Sequence, residues 1–154
     1  MKKSILICSI FLILLSGCNS DKSKSQVVNF DGNTWQRFNY LNFEFPVEAT
    51  DDMWDFLVVC RVTEDFPSQA LVFNMVMNLP SGEERIREFK INIRDKEENM
   101  LGEKKAGYYE YFLPIRSEVR FFETGNLTFE IESLMTKYYT PGVVEFGVVL
   151  EPSV

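Results

Sequence analysis

The residue whose chemistry is most directly legible is Cys18. It closes the box Leu15-Ser16-Gly17-Cys18, which follows an uncharged apolar run, Ser4 to Leu15, behind Lys2 and Lys3. A charged start, a short apolar run and small residues ahead of a cut are the layout of a secretory signal, and the cysteine makes it a bacterial lipobox. The run is shorter than the roughly 20 apolar residues that cross a bilayer. Small residues let signal peptidase bind an extended backbone. Cleavage is expected between Gly17 and Cys18, and the Cys18 thiol is the group that takes a diacylglycerol. Each buried methylene of such an anchor stabilises the bound state by about 0.8 kcal/mol, so more than one chain holds firmly.

Other reactive constellations are hard to assemble. The chain has no histidine, which removes Ser-His-Asp and Cys-His catalysis and imidazole metal sites. Of the three cysteines, Cys8 leaves with the signal and Cys18 carries lipid. Cys60 is then alone, without a disulfide partner in the chain. Alternation places it on one strand face with Phe56, Val58 and Val62, as a buried, inert thiol. The glycines form no phosphate-cradling loop. Asp51-Asp52 with Asp55, Glu64-Asp65, Glu83-Glu84 and Glu97-Glu98 lack the spaced oxygens of a calcium loop. They read as solvated turns; a glycosidase pair cannot be picked out from one sequence. The expectation is therefore a non-enzyme with no catalytic residue, no metal and no cofactor. Trp35, Trp54, Tyr108, Tyr109, Tyr111, Tyr138 and Tyr139 are the surplus that could bind: exposed, they would stack on sugars or form a protein interface; otherwise they fill the core.

The elements that must position these residues are strands. From Trp35 onward the hydrophobic period is two, with turn residues between runs and no long helical stretch. Expected strands are Phe38 to Phe45, Trp54 to Thr63, Leu71 to Leu79, Arg85 to Arg94, Tyr108 to Ile115, Glu118 to Phe122, Leu127 to Leu134 and Val143 to Glu151. About eight strands at hairpin spacing, each with one apolar face, describe an all-β antiparallel β-sandwich, jelly-roll-like; an up-and-down barrel is the competitor. The polar interval Arg94 to Gly107 reads as a loop with a helical turn. The division expected is a signal peptide over 1–17, a lipidated N-terminus and flexible tether over 18–33, and one sandwich over 34–154. Asn19 to Gln26 is the most polar part of the tether. Without Lys2 and Lys3 the chain keeps 14 basic against 23 acidic residues, a net charge of −9. That argues against nucleic acid and anionic headgroups as partners, since both need a basic face, and it serves solubility equally well.

Several segments together resemble the GldH-type gliding-motility lipoproteins. They are Trp35 ahead of Asn42-Phe43-Glu44-Phe45; Cys60-Arg61-Val62-Thr63-Glu64-Asp65-Phe66-Pro67; Ala70-Leu71-Val72-Phe73; Pro80-Ser81-Gly82; Phe122 to Ile131 leading to Met135; and Gly142 to Val148. The likeness covers about Trp35 to Glu151. It departs from the family at Ser68-Gln69 and at Asn99 to Glu103, where a glycine- and tryptophan-rich segment is usual. The resemblance implies a non-catalytic envelope component that supports gliding and surface-protein secretion, with other envelope proteins as partners; a glycan is the alternative partner. With Asp21 the single acidic residue between Asn19 and Gln26, the expected address is the outer membrane, lipid-anchored and facing the periplasm.

Overall fold

The computed structural model describes residues 22–154, so Gly17 and Cys18, with the cleavage and lipid attachment expected there, lie outside the described residues. The strands are β1 (Lys24–Asn29), β2 (Thr34–Gln36), β3 (Leu41–Val47), β4 (Met53–Val62), β5 (Ala70–Asn78), β6 (Glu84–Asn92), β7 (Glu103–Lys104), β8 (Tyr109–Arg120), β9 (Gly125–Ser133), β10 (Tyr139–Pro141) and β11 (Val143–Pro152). A single 3-10 turn, Asp31–Asn33, is the only helical element among the described residues. No helix among the described residues is long and apolar enough to cross a membrane.

Two antiparallel sheets form a sandwich, one in the order β1-β11-β4-β8-β7 and the other β3-β9-β5-β6, with β10-β2 as a small ribbon. Every pairing is antiparallel, and eight of the strands have six residues or more. Alternation drives this. In β5 Leu71, Phe73, Met75 and Met77 point inward, and in β9 Leu127, Phe129 and Ile131 do the same. From the facing sheet come Phe56, Val58, Cys60 and Val62 of β4 with Phe146, Val148 and Leu150 of β11, all fully buried. Rings lock across the interface, where Phe129 meets Phe56 edge-on and Phe73 meets Phe146 at 82°, and within one sheet, where Phe129 meets Phe45 edge-on, the geometry that aligns ring edges with ring faces.

The structure differs from the sequence reading in four places. The expected tether through residue 33 is corrected from Lys24 onward: Lys24 to Asn29 pairs with Leu150 to Glu145 as a full edge strand. An edge strand needs a ladder on one side only and an apolar inner face only where it covers core, here Val28. The fold therefore starts before residue 34, and Phe30 is buried and stacked on Trp35 at 5.3 Å. Second, the separate strands expected over 108–115 and 118–122 are one strand, β8, whose register against β4 shifts around Trp54 and Phe56. Bulges of this kind absorb a break in alternation without ending the ladder. Third, Phe38 is not a strand residue but has φ +71 in the turn before β3. Fourth, the segment 94–107 holds no helical turn. The Asp95 carboxylate accepts the N–H groups of Glu97 and Asn99 at 2.9 and 2.8 Å, and β7 follows.

Candidate interaction surfaces

The family-like segment Cys60 to Pro67 is built around charge. Arg61 lies on the outer face of the five-stranded sheet, flanked in register by Glu145 on β11 and Glu110 on β8. Its Nε donates to Glu110 at 2.7 Å and its Nη1 to Glu145, while its guanidinium sits 5.4 Å from the Tyr108 ring. Both glutamates are buried. Hydrogen bonding to Glu110, with Glu145 beside it, holds the Arg61 pKa above its ordinary value against the opposing effect of burial. Downstream, Arg94 donates to the carbonyls of Glu64 and Phe66, and Phe66 is fully buried. Gly142, at φ +84, passes so close that a Cβ there would lie 2.8 Å from Phe66 Cα. This segment is a structural joint. Cys60 behaves as expected: fully buried, its thiol pushed up chiefly by burial and further by the Glu145 charge.

The acidic pairs are engaged in structure. Asp55 accepts from the Glu118 N–H and the Ser153 hydroxyl. Asp65 accepts from Thr63 and Glu98 from Gln69. Glu83 accepts from Arg85 and Arg116, and these bonds lower its pKa, Arg85 most. Among the described residues no cluster of three or more His, Cys, Asp or Glu side chains could hold a metal ion.

Of the seven aromatics singled out, Trp35 and Tyr111 belong to the core. Trp35 donates its indole N–H to the Asn39 carbonyl and Tyr111 its hydroxyl to the Ile93 carbonyl. Trp54 and Tyr109 pack partly against the core. Tyr138 and Tyr139 are exposed but meet at 89° rather than side by side, with exposed Phe38 tilted 56° to Tyr138.

The two long sides of the sandwich differ. On one, β1 and β3 are clasped: the Gln26 amide donates to the Glu44 carbonyl at 2.5 Å and accepts the Glu44 N–H at 3.2 Å, imitating a strand partner. Lys24 adds a bond to the Pro46 carbonyl at 2.7 Å. On the other side β6 is paired only to β5, and β8 meets β7 over two residues, which leaves two strand edges open. A cleft of about 190 Å³ runs between them, lined by Met75, Met77, Phe89 and Ile115 with Arg85, Arg87 and Arg116. Arg116 also borders a second hollow of about 330 Å³ with Arg120 and the exposed Phe122. Four of the chain's seven arginines thus gather on the open side of an acidic protein. Nothing in the sequence pattern announces this grouping, because it depends on strand order. The outer face of the five-stranded sheet is also less polar than expected. Val27 and Phe112 are exposed there beside Val59.

The fold is an antiparallel β-sandwich in which Cys60 to Pro67 forms a structural joint and the open features are strand edges and surface clefts. The chain belongs to the GldH lipoprotein family, whose model matches residues 22–150. Membership fits a membrane-anchored protein. Among solved structures, the chain is similar to dimeric latent PorU from Porphyromonas gingivalis, at 9% identity, covering 85% of this chain and 13% of that one, with a TM-score of 0.39. It is also similar to a carbohydrate-binding module specific for non-crystalline cellulose, CBM28, at 13% identity, covering 79% and 76%, with a TM-score of 0.40. No curated protein sequence matches the chain.

Proposed function

We propose that this protein is a lipid-anchored, non-catalytic component of the envelope machinery for gliding or surface-protein secretion, held at the outer membrane by Cys18 and facing the periplasm. The match to the GldH lipoprotein family carries this reading. The open side supports it: unpaired strand edges accept an extended segment by main-chain hydrogen bonds, and the arginines there favour a segment with acidic side chains from an envelope partner. Arg87 has no ion-pair partner among the described residues and stacks over Phe89 at 5.3 Å.

The test is genetic. In a strain that glides and displays surface proteins, deleting the gene or replacing Cys18→Ala is expected to impair both; normal motility and normal surface display would remove the reading. Arg87→Glu with Arg116→Glu is expected to reproduce part of the defect at normal protein abundance. The alternative reading, glycan binding, rests on the exposed Phe38, Tyr138 and Tyr139 group. It requires retention of the protein on a polysaccharide affinity gel, lost in Tyr139→Ala.

A further inference from the structure

Another hollow lies at the end of the sandwich where the described chain enters. It measures about 680 Å³ and opens between the sheets, within the size range of sites that hold small organic ligands, about 300–1,000 Å³. Its apolar surface comes from Pro46 and Val47 of β3, Trp54 of β4, Leu150 of β11, and Phe121, while Glu48, Thr50, Thr124 and Asn126 also line it. Val47, Phe121 and Leu150 are buried core residues. One wall polar group is unaccounted for. The Trp54 indole N–H is buried and has no acceptor, although buried donors in native proteins are almost always paired. At the mouth stand Lys22 and Lys24, which reach Asp52 at 3.1 Å and the Pro46 carbonyl at 2.7 Å.

We infer that this cleft is a site for one fatty acyl chain, and that its occupant is a chain of the protein's own anchor. Three observations converge: apolar walls contributed by both sheets suit a hydrocarbon stem, the orphan indole N–H suits a single ester or acid oxygen, and the rim is where the lipidated end arrives. Cys18 is four residues from Lys22, so the anchor is at most about 14 Å of extended chain from the mouth. The inference rests on lipidation of Cys18, as proposed above. Its consequence is that one hydrocarbon chain is kept from water while the protein is away from a bilayer, at about 0.8 kcal/mol per buried methylene.

The test compares the lipidated protein purified from membranes with the Cys18→Ala chain exported behind a plain signal peptide. The probe is cis-parinaric acid, a fluorescent fatty acid, with palmitate as competitor. The Cys18→Ala protein is expected to bind the probe at one site and release it to palmitate. Trp54→Phe in that background keeps the ring wall but removes the donor, and is expected to weaken binding about five- to tenfold. Thr50→Phe, at the mouth, is expected to block it. The lipidated protein is expected to leave the probe unbound because its cleft is filled. No probe binding by a folded Cys18→Ala protein overturns the inference, as does binding indifferent to both substitutions. Equal binding by lipidated and unlipidated forms overturns the anchor as occupant. Intact mass separates the two readings: an unmodified Cys18 in the wild-type protein refutes the anchor, whereas a lipidated Cys18 with no acyl binding refutes only the cleft.

Discussion

Replacing Arg61→Met tests the charged joint most directly. The substitution keeps a long unbranched stem over the sheet and deletes only the guanidinium. Two charge-assisted hydrogen bonds disappear, to Glu110 at 2.7 Å and to Glu145, each contributing about 1.5–3 kcal/mol. The side chains of the two glutamates are only 9% and 10% exposed, so their charges stay desolvated without a counter-ion. Breaking a buried pair from one side costs about 3–5 kcal/mol. The 29% exposure of Arg61 keeps the expected loss near the lower bound, about 3 kcal/mol. With an m-value of about 2 kcal/mol/M, that moves the urea midpoint down by about 1.5 M. Urea melts followed by tryptophan fluorescence read it. Adding Glu110→Gln and Glu145→Gln to Arg61→Met is expected to restore part of the loss at neutral pH, since the uncompensated charges are then gone. A cost for Arg61→Met below about 0.5 kcal/mol would refute the reasoning, and so would a triple variant less stable than the single one.

Cys60 is held neutral by burial, so an unfolded chain loses its thiol proton on alkaline titration before the folded chain does. Folded protein binds more protons there, and stability falls by about 1.4 kcal/mol per pH unit above the ordinary thiol pKa of about 8.5. The difference between wild type and Cys60→Val in melts at pH 8 to 10 isolates that slope. Gln26→Ala removes both bonds to the Glu44 backbone and is expected to destabilise by about 1–2 kcal/mol, with faster amide exchange at Glu44. Gly142→Ala places a Cβ against Phe66 at a positive φ and is expected to cost more than about 1 kcal/mol, read as a lowered melting temperature. Asp95, its pKa depressed by hydrogen bonds from Asn99 first and Glu97 after, contributes to its turn above the ordinary carboxylate range. That contribution is lost as pH falls through and below the range, so Asp95→Ala is expected to flatten the acid limb of the stability curve.

How much of this was legible depends on whether the information was local. Leu71 to Met77 and Leu127 to Ile131 announce their inner faces because alternation is written in adjacent residues. The sandwich followed from counting such runs. β1 was not legible. Lys24 to Asn29 carries few apolar residues because it closes an edge, and Gln26 does with an amide what a strand partner would do with a backbone. The Arg61 joint was hidden for a different reason: its glutamates lie 49 and 84 residues away, brought together by the register of three strands. The same holds for the arginines of the open side and the walls of the large cleft. A lone glutamate on an outward strand position reads as solvent-facing until a neighbour's charge and a covering side chain are known.

The clasp on β1 has a mechanical consequence. The strand that seals one side of the sandwich is also the first described element, so with the anchor and partner proposed above, tension between them would enter the domain at Lys24. Pulled along its own axis, β1 loads its six pairings with β11 together, in shear. Pulled away from the sheet, it surrenders them one at a time, beginning with the Lys24 and Gln26 contacts. The domain is therefore strong in one direction and yielding in another, and the direction of pull by the proposed partner would decide which applies.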